Sequence, residues 1–240
     1  MRAAGPVVVT VAGADSSGGA GIAADQRAIE ANGGRAACAI TAITAQGPRR
    51  VLAVHAVSAA VLRDQLVVLR DDLPIAAVKV GMLGTGALVR DLTDWLATLD
   101  RAIPVVIDPV LRSTSGAQLL DDDGVAALPA LFARATVLTP NAAEARSLAG
   151  SLSVARWAQA LGCAVLITGG DEPDPDVVTD WLHEPGFAPL PLRAPRRPGP
   201  SPRGTGCTLA ATLATLLARG VPVRDACKLA GDYVRDALMA

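Results

Sequence analysis

The sequence has little of what nucleic-acid binding, metal clustering or membrane spanning needs. Its 22 lysines and arginines are matched by 23 acidic residues, for a formal net charge of −1. Without a basic excess, a nucleic-acid partner is not expected. Only two histidines, His55 and His183, accompany four cysteines, Cys38, Cys163, Cys207 and Cys227, and no C-x-x-C spacing occurs. That leaves no zinc set, and free thiols on a chain of enzyme size fit a reducing compartment. No uncharged stretch is long enough to cross a bilayer, and no charged n-region precedes an apolar h-region at the start. The expectation is a cytoplasmic protein with no membrane partner. Aromatic residues make up 2%, so a flat ring substrate has to be held by polar and aliphatic groups rather than a stacking cage.

What the chain does have is apolar bulk: 51% of its 240 residues are hydrophobic, enough to bury a sizeable core. Short apolar runs at Val7–Ala12, Ala37–Thr44, Ile75–Val80, Val105–Ile107, Thr136–Leu138 and Ala164–Ile167 read as strands buried on both faces. Amphipathic stretches at Ile22–Asn32, Ala59–Arg70, Gly86–Leu99 and Asn141–Ala149 lie between them. Such alternation predicts an α/β fold with a mostly parallel central sheet. Val177–His183 and Phe187–Leu192, joined by Glu184-Pro185-Gly186, predict an antiparallel hairpin on the sheet edge. Arg193–Arg203, with four prolines and four arginines, reads as an irregular loop, and two helices follow it. No linker or repeat divides the chain, so one domain over residues 1–240 is expected.

Four segments carry chemistry. Asp15-Ser16-Ser17-Gly18-Gly19-Ala20-Gly21 follows the first strand and opens a helix, where glycines let backbone approach a ligand. Gly19-Ala20-Gly21-Ile22-Ala23-Ala24 formally fits a dinucleotide fingerprint, but no acidic residue stands about 20 positions later, and neither lysine precedes Ser or Thr as a P-loop requires. Gly204-Thr205-Gly206-Cys207 precedes an uncharged helix, and its backbone N–H groups form an anion-binding nest. Cys207 in that first turn is expected to have a lowered pKa and to accept a hydroxyl proton, or else simply to pack. Asn141 and Glu144 match a capping box, with a magnesium and phosphate role as the alternative. Asp108-Pro109 ends a strand at a carboxyl edge of the sheet, where ligands of open α/β folds bind.

Together these segments resemble the hydroxymethylpyrimidine/phosphomethylpyrimidine kinase family of thiamine biosynthesis, in the ribokinase-like superfamily. The matching pieces are AGADSSGGAGIAAD (12–25), TAITAQ (41–46), VKVGML (78–83), VIDPVLRSTSG (106–116), LTPNAAEA (138–145) and GTGCTLAA (204–211). The resemblance implies a ribokinase-like three-layer α/β/α fold and ATP-dependent phosphorylation of a hydroxymethylpyrimidine, and often of its monophosphate, with Mg2+. It implies substrate contacts at Gln46, Asp25, Gly13, Ala20, Met82 and Val110, and a catalytic turn of Gly204, Thr205, Gly206 and Cys207. It further implies ATP or phosphate positions at Asn141, Glu144, Thr168, Gly170 and Arg203, magnesium through water near Asp108 and Glu144, and a homodimer.

The chain departs from the family pattern at two charged positions. Thr168-Gly169-Gly170-Asp171 stands where Lys-Gly-Gly-His is usual, and Arg203 where histidine usually precedes the catalytic turn. Arg203, helped by Arg196 or Arg197, is therefore expected to supply the phosphate charge that residue 168 lacks. Two other functions compete with the pyrimidine kinase: a pyridoxal/pyridoxine kinase, and a pyrimidine-binding protein of the same fold with weakened catalysis.

Overall fold

The computed structural model describes residues 5–47, 50–113, 116–169, 174, 176–197 and 203–237. Strand β1 (Val7–Asp15) leads into helix α1 (Gly21–Ala31), β2 (Arg35–Gln46), β3 (Val51–Ala56) and α2 (Ala59–Asp72). Next come β4 (Ile75–Val80), α3 (Gly86–Ala97), β5 (Val105–Ile107), α4 (Asp122–Phe132), β6 (Val137–Leu138) and α5 (Ala142–Ala149). The chain continues through α6 (Val154–Leu161), β7 (Ala164–Ile167), β8 (Val177–His183), β9 (Leu190–Pro195), α7 (Thr205–Ala218) and α8 (Val223–Ala237).

All the strands belong to one sheet in the order β3-β2-β1-β4-β5-β6-β7-β8-β9. From β2 to β7 neighbouring strands are parallel, while β3 at one edge and the β8–β9 hairpin at the other run antiparallel. Side chains alternate between two cores. Val9, Val11, Val78, Val80, Val105 and Ile107 face the layer of α2 to α6, whereas Val8, Ala77 and Val106 face α1, α7 and α8. This is the three-layer α/β/α arrangement expected from the sequence, and period-2 alternation within continuous apolar runs explains how one strand serves both layers.

The differences from expectation lie at the edges. β2 is not buried on both faces: Ile43 is 59% exposed, because near the edge only β3 lies beyond it. β3 itself, and helices α4 and α6, are elements that the apolar runs did not announce. The second strand of the hairpin starts at Leu190 rather than Phe187, because the turn around Gly186 (φ 80°) leaves Phe187 outside the ladder beneath the Arg224 guanidinium, 4.4 Å from its ring. Pro191 and Pro195 are tolerated in β9 because it is an edge strand.

The direction of strand addition reverses between β1 and β4. In open α/β sheets the crevice at such a reversal, outside the carboxyl ends of the strands, is where ligands bind.

Candidate active site

Strand after strand delivers a candidate residue to that carboxyl edge. Gly13 lies at the end of β1, Gln46 ends β2, and Met82 follows β4. Asp108 follows β5, Asn141 follows β6 and Thr168 follows β7. Asn141 and Thr168 are bridged directly, with the Thr168 N–H donating to the Pro140 carbonyl at 3.1 Å. Gly170 and Asp171 lie outside the described residues.

The ring end of the site is apolar with one amide. Met82, Ala42 and Leu119 form a small cluster against which Val110 packs. A Cβ on Gly13 would stand 3.1 Å from the Met82 sulfur, so glycine leaves room beside it. The Gln46 side-chain oxygen accepts from the Thr44 hydroxyl at 3.1 Å, which also donates to the Ala14 carbonyl at 3.1 Å. The Gln46 backbone is pinned on both sides of Ser16: its N–H donates to Ser16 Oγ, and the same hydroxyl donates to its carbonyl, each at 2.9 Å.

The anion end is the start of α7. Gly204 adopts φ 80° and, having no side chain, offers no cap, so among the described residues no side-chain cap occupies the start of the helix. Gly204 also packs backbone to backbone on the helix-entry turn: a Cβ there would stand 2.2 Å from the Gly19 carbonyl oxygen and 3.2 Å from Ala20 Cα. Gly206 faces Asp108, whose Oδ2 lies 3.6 Å from where a Gly206 Cβ would stand. The two glycine-rich turns and the end of β5 thus meet at one place.

Beneath this meeting point lies a buried charge cluster. Lys79 and Asp25, both with fully buried side chains, form a 2.9 Å ion pair, and the Thr10 hydroxyl donates to the same Asp25 oxygen at 2.6 Å. Lys79 and Thr10 are register partners on β4 and β1, on the face covered by α1 and α7. Asp25, expected to contact substrate, is turned by α1 onto Lys79, which it meets through Oδ2. Its other oxygen is buried without a hydrogen-bond partner. Sequence reasoning passed over Lys79, although a lysine inside an otherwise apolar strand was the available signal.

The charges set the protonation states. Burial raises the Asp108 carboxyl to about 6, with Lys79 opposing and Asp25 adding to the rise. Burial likewise pushes the Cys207 thiol up to about 11, against the pull of Lys79 and with the Asp25 and Asp108 carboxylates adding. This corrects the expectation of a lowered pKa: the helix start and the Gly21 N–H favour the thiolate, but desolvation outweighs them. Burial would lower the Lys79 pKa, but the carboxylates and Cys207 around it hold it above the usual lysine value.

Asn141 and Glu144 form the capping box the pattern suggested. Asn141 Oδ1 accepts from the Glu144 N–H at 2.9 Å, and Glu144 Oε2 accepts from the Asn141 N–H at 3.0 Å. Glu144 Oε1 also accepts from the Leu111 N–H at 3.3 Å, tying α5 to the segment after Asp108.

Arg203, expected to serve the phosphates in place of the lysine missing at Thr168, is held by two groups of this chain. Its guanidinium donates to the Gly47 carbonyl and pairs with Asp15 Oδ2 at 3.4 Å, both on the ring side of the site. Arg196 and Arg197 are engaged elsewhere, with the Asp174 carbonyl and with Asp236 at 3.7 Å. The expected substitute for the missing lysine is thus not assembled by these arginines. The reason is local: Asp15 is nearly buried and draws the nearest guanidinium.

Among the described residues no group of three metal-ligating side chains is close enough to hold an ion. No described helix is long and apolar enough to cross a membrane.

Residues 15–240 match the phosphomethylpyrimidine kinase family. A hydroxymethylpyrimidine/phosphomethylpyrimidine kinase of Haemophilus influenzae is 36% identical over 244 residues, covering 96% of this chain and 90% of that protein. A thiamine biosynthesis multifunctional protein of Corynebacterium efficiens is 38% identical over 99% of this chain, which spans only 33% of that longer protein. Among solved structures, a pyridoxal kinase of Staphylococcus aureus in complex with AMP-PCP and pyridoxal superposes with a TM-score of 0.86 at 29% identity, covering 98% of this chain and 88% of that one.

Proposed function

Because this chain belongs to the phosphomethylpyrimidine kinase family, we propose that it phosphorylates hydroxymethylpyrimidine and its monophosphate with ATP, as one catalytic domain in thiamine biosynthesis. The observation that carries the reading is the meeting of the Gly204–Cys207 turn, the Gly19–Ala20 turn and Asp108 at the reversal point of the sheet. In this reading the ring is held by Gln46 and the Met82–Val110 cluster, and the anion-binding helix start receives the phosphoryl group.

Gln46 and the Met82–Val110 wall hold the pyrimidine with its hydroxymethyl group toward Cys207. The substrate oxygen attacks the terminal phosphorus of ATP. Its O–P bond forms as the bond from phosphorus to the bridging oxygen breaks, and that electron pair leaves with ADP. Backbone N–H groups of Gly204 to Cys207, at the positive end of α7, face the charge spread over the transferring oxygens. Cys207 as thiolate takes the hydroxyl proton, with the buried Lys79 cation beneath it stabilising that form. Thiolate is the minor form at neutral pH, and a loose phosphoryl-transfer transition state asks little of a base.

Asn141 and Thr168 line the nucleotide side. Asp108 and Glu144 fit a hard divalent cation, since both offer carboxylate oxygens and Glu144 is tied to the Leu111 N–H in the segment that follows Asp108. Magnesium held there through water would neutralise phosphate charge. The exposed apolar residues Ile43, Leu52 and Val54 on β2 and β3 support a homodimer through this edge, which a monomeric mass by light scattering would refute.

Coupled ADP-release assays with hydroxymethylpyrimidine, its monophosphate and pyridoxal test the reading. Turnover with the pyrimidines exceeding that with pyridoxal is expected. Faster turnover of pyridoxal would favour the second reading, which the likeness to the pyridoxal-bound neighbour supports. Pyrimidine binding by calorimetry with no ATP consumption would leave only a binding protein.

A further inference from the structure

We propose that Arg203 is a positioning residue that fastens the ring pocket to the phosphoryl-transfer turn, and not a ligand of the nucleotide phosphates. The proposal deepens the kinase reading and rests on it.

Three segments must hold one relative position for the reaction: the end of β2 with Gln46, the helix-entry turn after β1, and the start of α7. Arg203 is adjacent in sequence to the third and touches the other two. One guanidinium nitrogen donates to the carbonyl of Gly47, the residue after Gln46, and another pairs with Asp15 Oδ2 at 3.4 Å. The Asp15 side chain is only 4% exposed and that of Arg203 25%, so this pair is far less open to water than a surface ion pair. Asp15 is itself held in register, since its other oxygen, Oδ1, accepts from the Ser17 N–H at 2.9 Å and from the Ser17 hydroxyl at 2.8 Å.

Among the described residues, backbone contact alone does not close this triangle. Gly204 rests on Gly19 and Ala20, and Ser16 joins the helix-entry turn to Gln46. The α7 turn reaches the Gln46–Gly47 segment through Arg203. A guanidinium suits that work because its rigid fork can serve two acceptors at once, which an ammonium or imidazole does less well. With both acceptors on the ring side, Arg203 acts on the placement of the hydroxymethyl group relative to the anion turn. An error of about 1 Å in such placement can lower a rate on the order of a hundredfold.

The test compares Arg203→Ala, Arg203→Lys, Asp15→Asn and the Arg203→Ala/Asp15→Asn double variant with the unaltered chain. Asp15→Asn keeps the Oδ1 acceptor for Ser17 while removing the charge that Arg203 meets. Calorimetry gives the Kd for hydroxymethylpyrimidine and for AMP-PCP separately, and steady-state assays give kcat. Each single alanine or asparagine change is expected to weaken pyrimidine binding about tenfold, the scale of one charge-assisted hydrogen bond, and to lower kcat. The double variant should be no worse than Arg203→Ala, Arg203→Lys should fall between, and AMP-PCP binding should stay unchanged. Weaker AMP-PCP binding with pyrimidine binding intact would overturn the proposal, as would fully additive effects of the two changes. A fall in Tm with no change in either Kd or kcat would also overturn it, by reducing Arg203 to a structural brace. If the unaltered chain binds pyridoxal and not the pyrimidine, the substrate reading fails, and the same pattern measured with pyridoxal still decides the role of Arg203.

Discussion

Asp108→Asn should make the protein more stable at neutral pH while impairing catalysis. Asp108 is 7% exposed at the end of β5, and its pKa is raised from 3.8 to about 6, burial being the main cause. A folded-state pKa above the unfolded one means that the native protein binds the proton more tightly. The stabilisation from that proton is complete below pH 3.8 and is lost as pH rises through about 6. At pH 7 the ionised carboxylate therefore lowers stability by about 3 kcal/mol, the rise of some two pKa units multiplied by about 1.4 kcal/mol per unit. Asparagine cannot ionise. The stability difference between the variant and the unaltered chain should grow by about 2.5 kcal/mol between pH 4 and pH 7, or about 5–10 °C in Tm for a chain of this size. Urea unfolding of the nucleotide-free protein in chelator, at half-unit steps of pH, measures this directly. A difference that does not vary with pH, or that shrinks toward pH 7, would refute the reasoning, because only the carboxylate titration distinguishes the two side chains over that range.

Lys79→Met should lower stability by about 3–5 kcal/mol in urea unfolding, because it strands the Asp25 carboxylate without its 2.9 Å partner; Lys79→Met/Asp25→Asn should recover most of the loss. A loss under about 1 kcal/mol would show that the pair is solvated. Cys207 should resist thiol reagents in the folded, ligand-free protein, since a thiol at about 11 carries on the order of a hundredfold less thiolate at neutral pH than an ordinary one. Cys38, Cys163 and Cys227 are raised to about 11, 12 and 12, so rapid neutral-pH labelling that Cys207→Ser abolishes would contradict this assignment.

The central sheet was legible because parallel strands buried on both faces write themselves as continuous apolar runs, as Ile75–Val80 and Val105–Ile107 do. β3 was not, because Val51–Ala56 lies at an edge with most of its side chains in solvent, and pairing rather than burial makes it a strand. Helix α4 begins with Asp121-Asp122-Asp123-Gly124 and contains Pro129, a composition that reads as a turn until Asp121 is seen capping the Gly124 N–H. The positions of Gln46, Met82, Asp108 and Asn141 at one sheet edge followed from their places at strand ends, and that of Gly204 from its place at a helix start. The partners of Arg203 did not, since Asp15 and Gly47 are remote in sequence and nothing local announces them.

The protonation of Cys207 is set by more than its helix, and the same holds for the whole site. A cysteine in the first turn of a helix looks activated when only the helix is considered, because the dipole and the local N–H groups favour the anion. What the helix packs on decides the outcome. α7 lies on α1 and on the centre of the sheet, so Cys207, though only half-buried, sits where desolvation outweighs the helix start, in the company of two carboxylates and one ammonium. That ammonium is Lys79, and a buried ion pair of this kind is weak support for stability, because apolar residues of similar volume often stabilise a core as well or better. Its position offers the better explanation. Lys79 is the cation that favours the ionised forms of both Cys207 and Asp108, the proton acceptor and the carboxylate at the anion turn. Asp25 keeps that cation oriented through Oδ2, and the Thr10 hydroxyl holds the same oxygen in place.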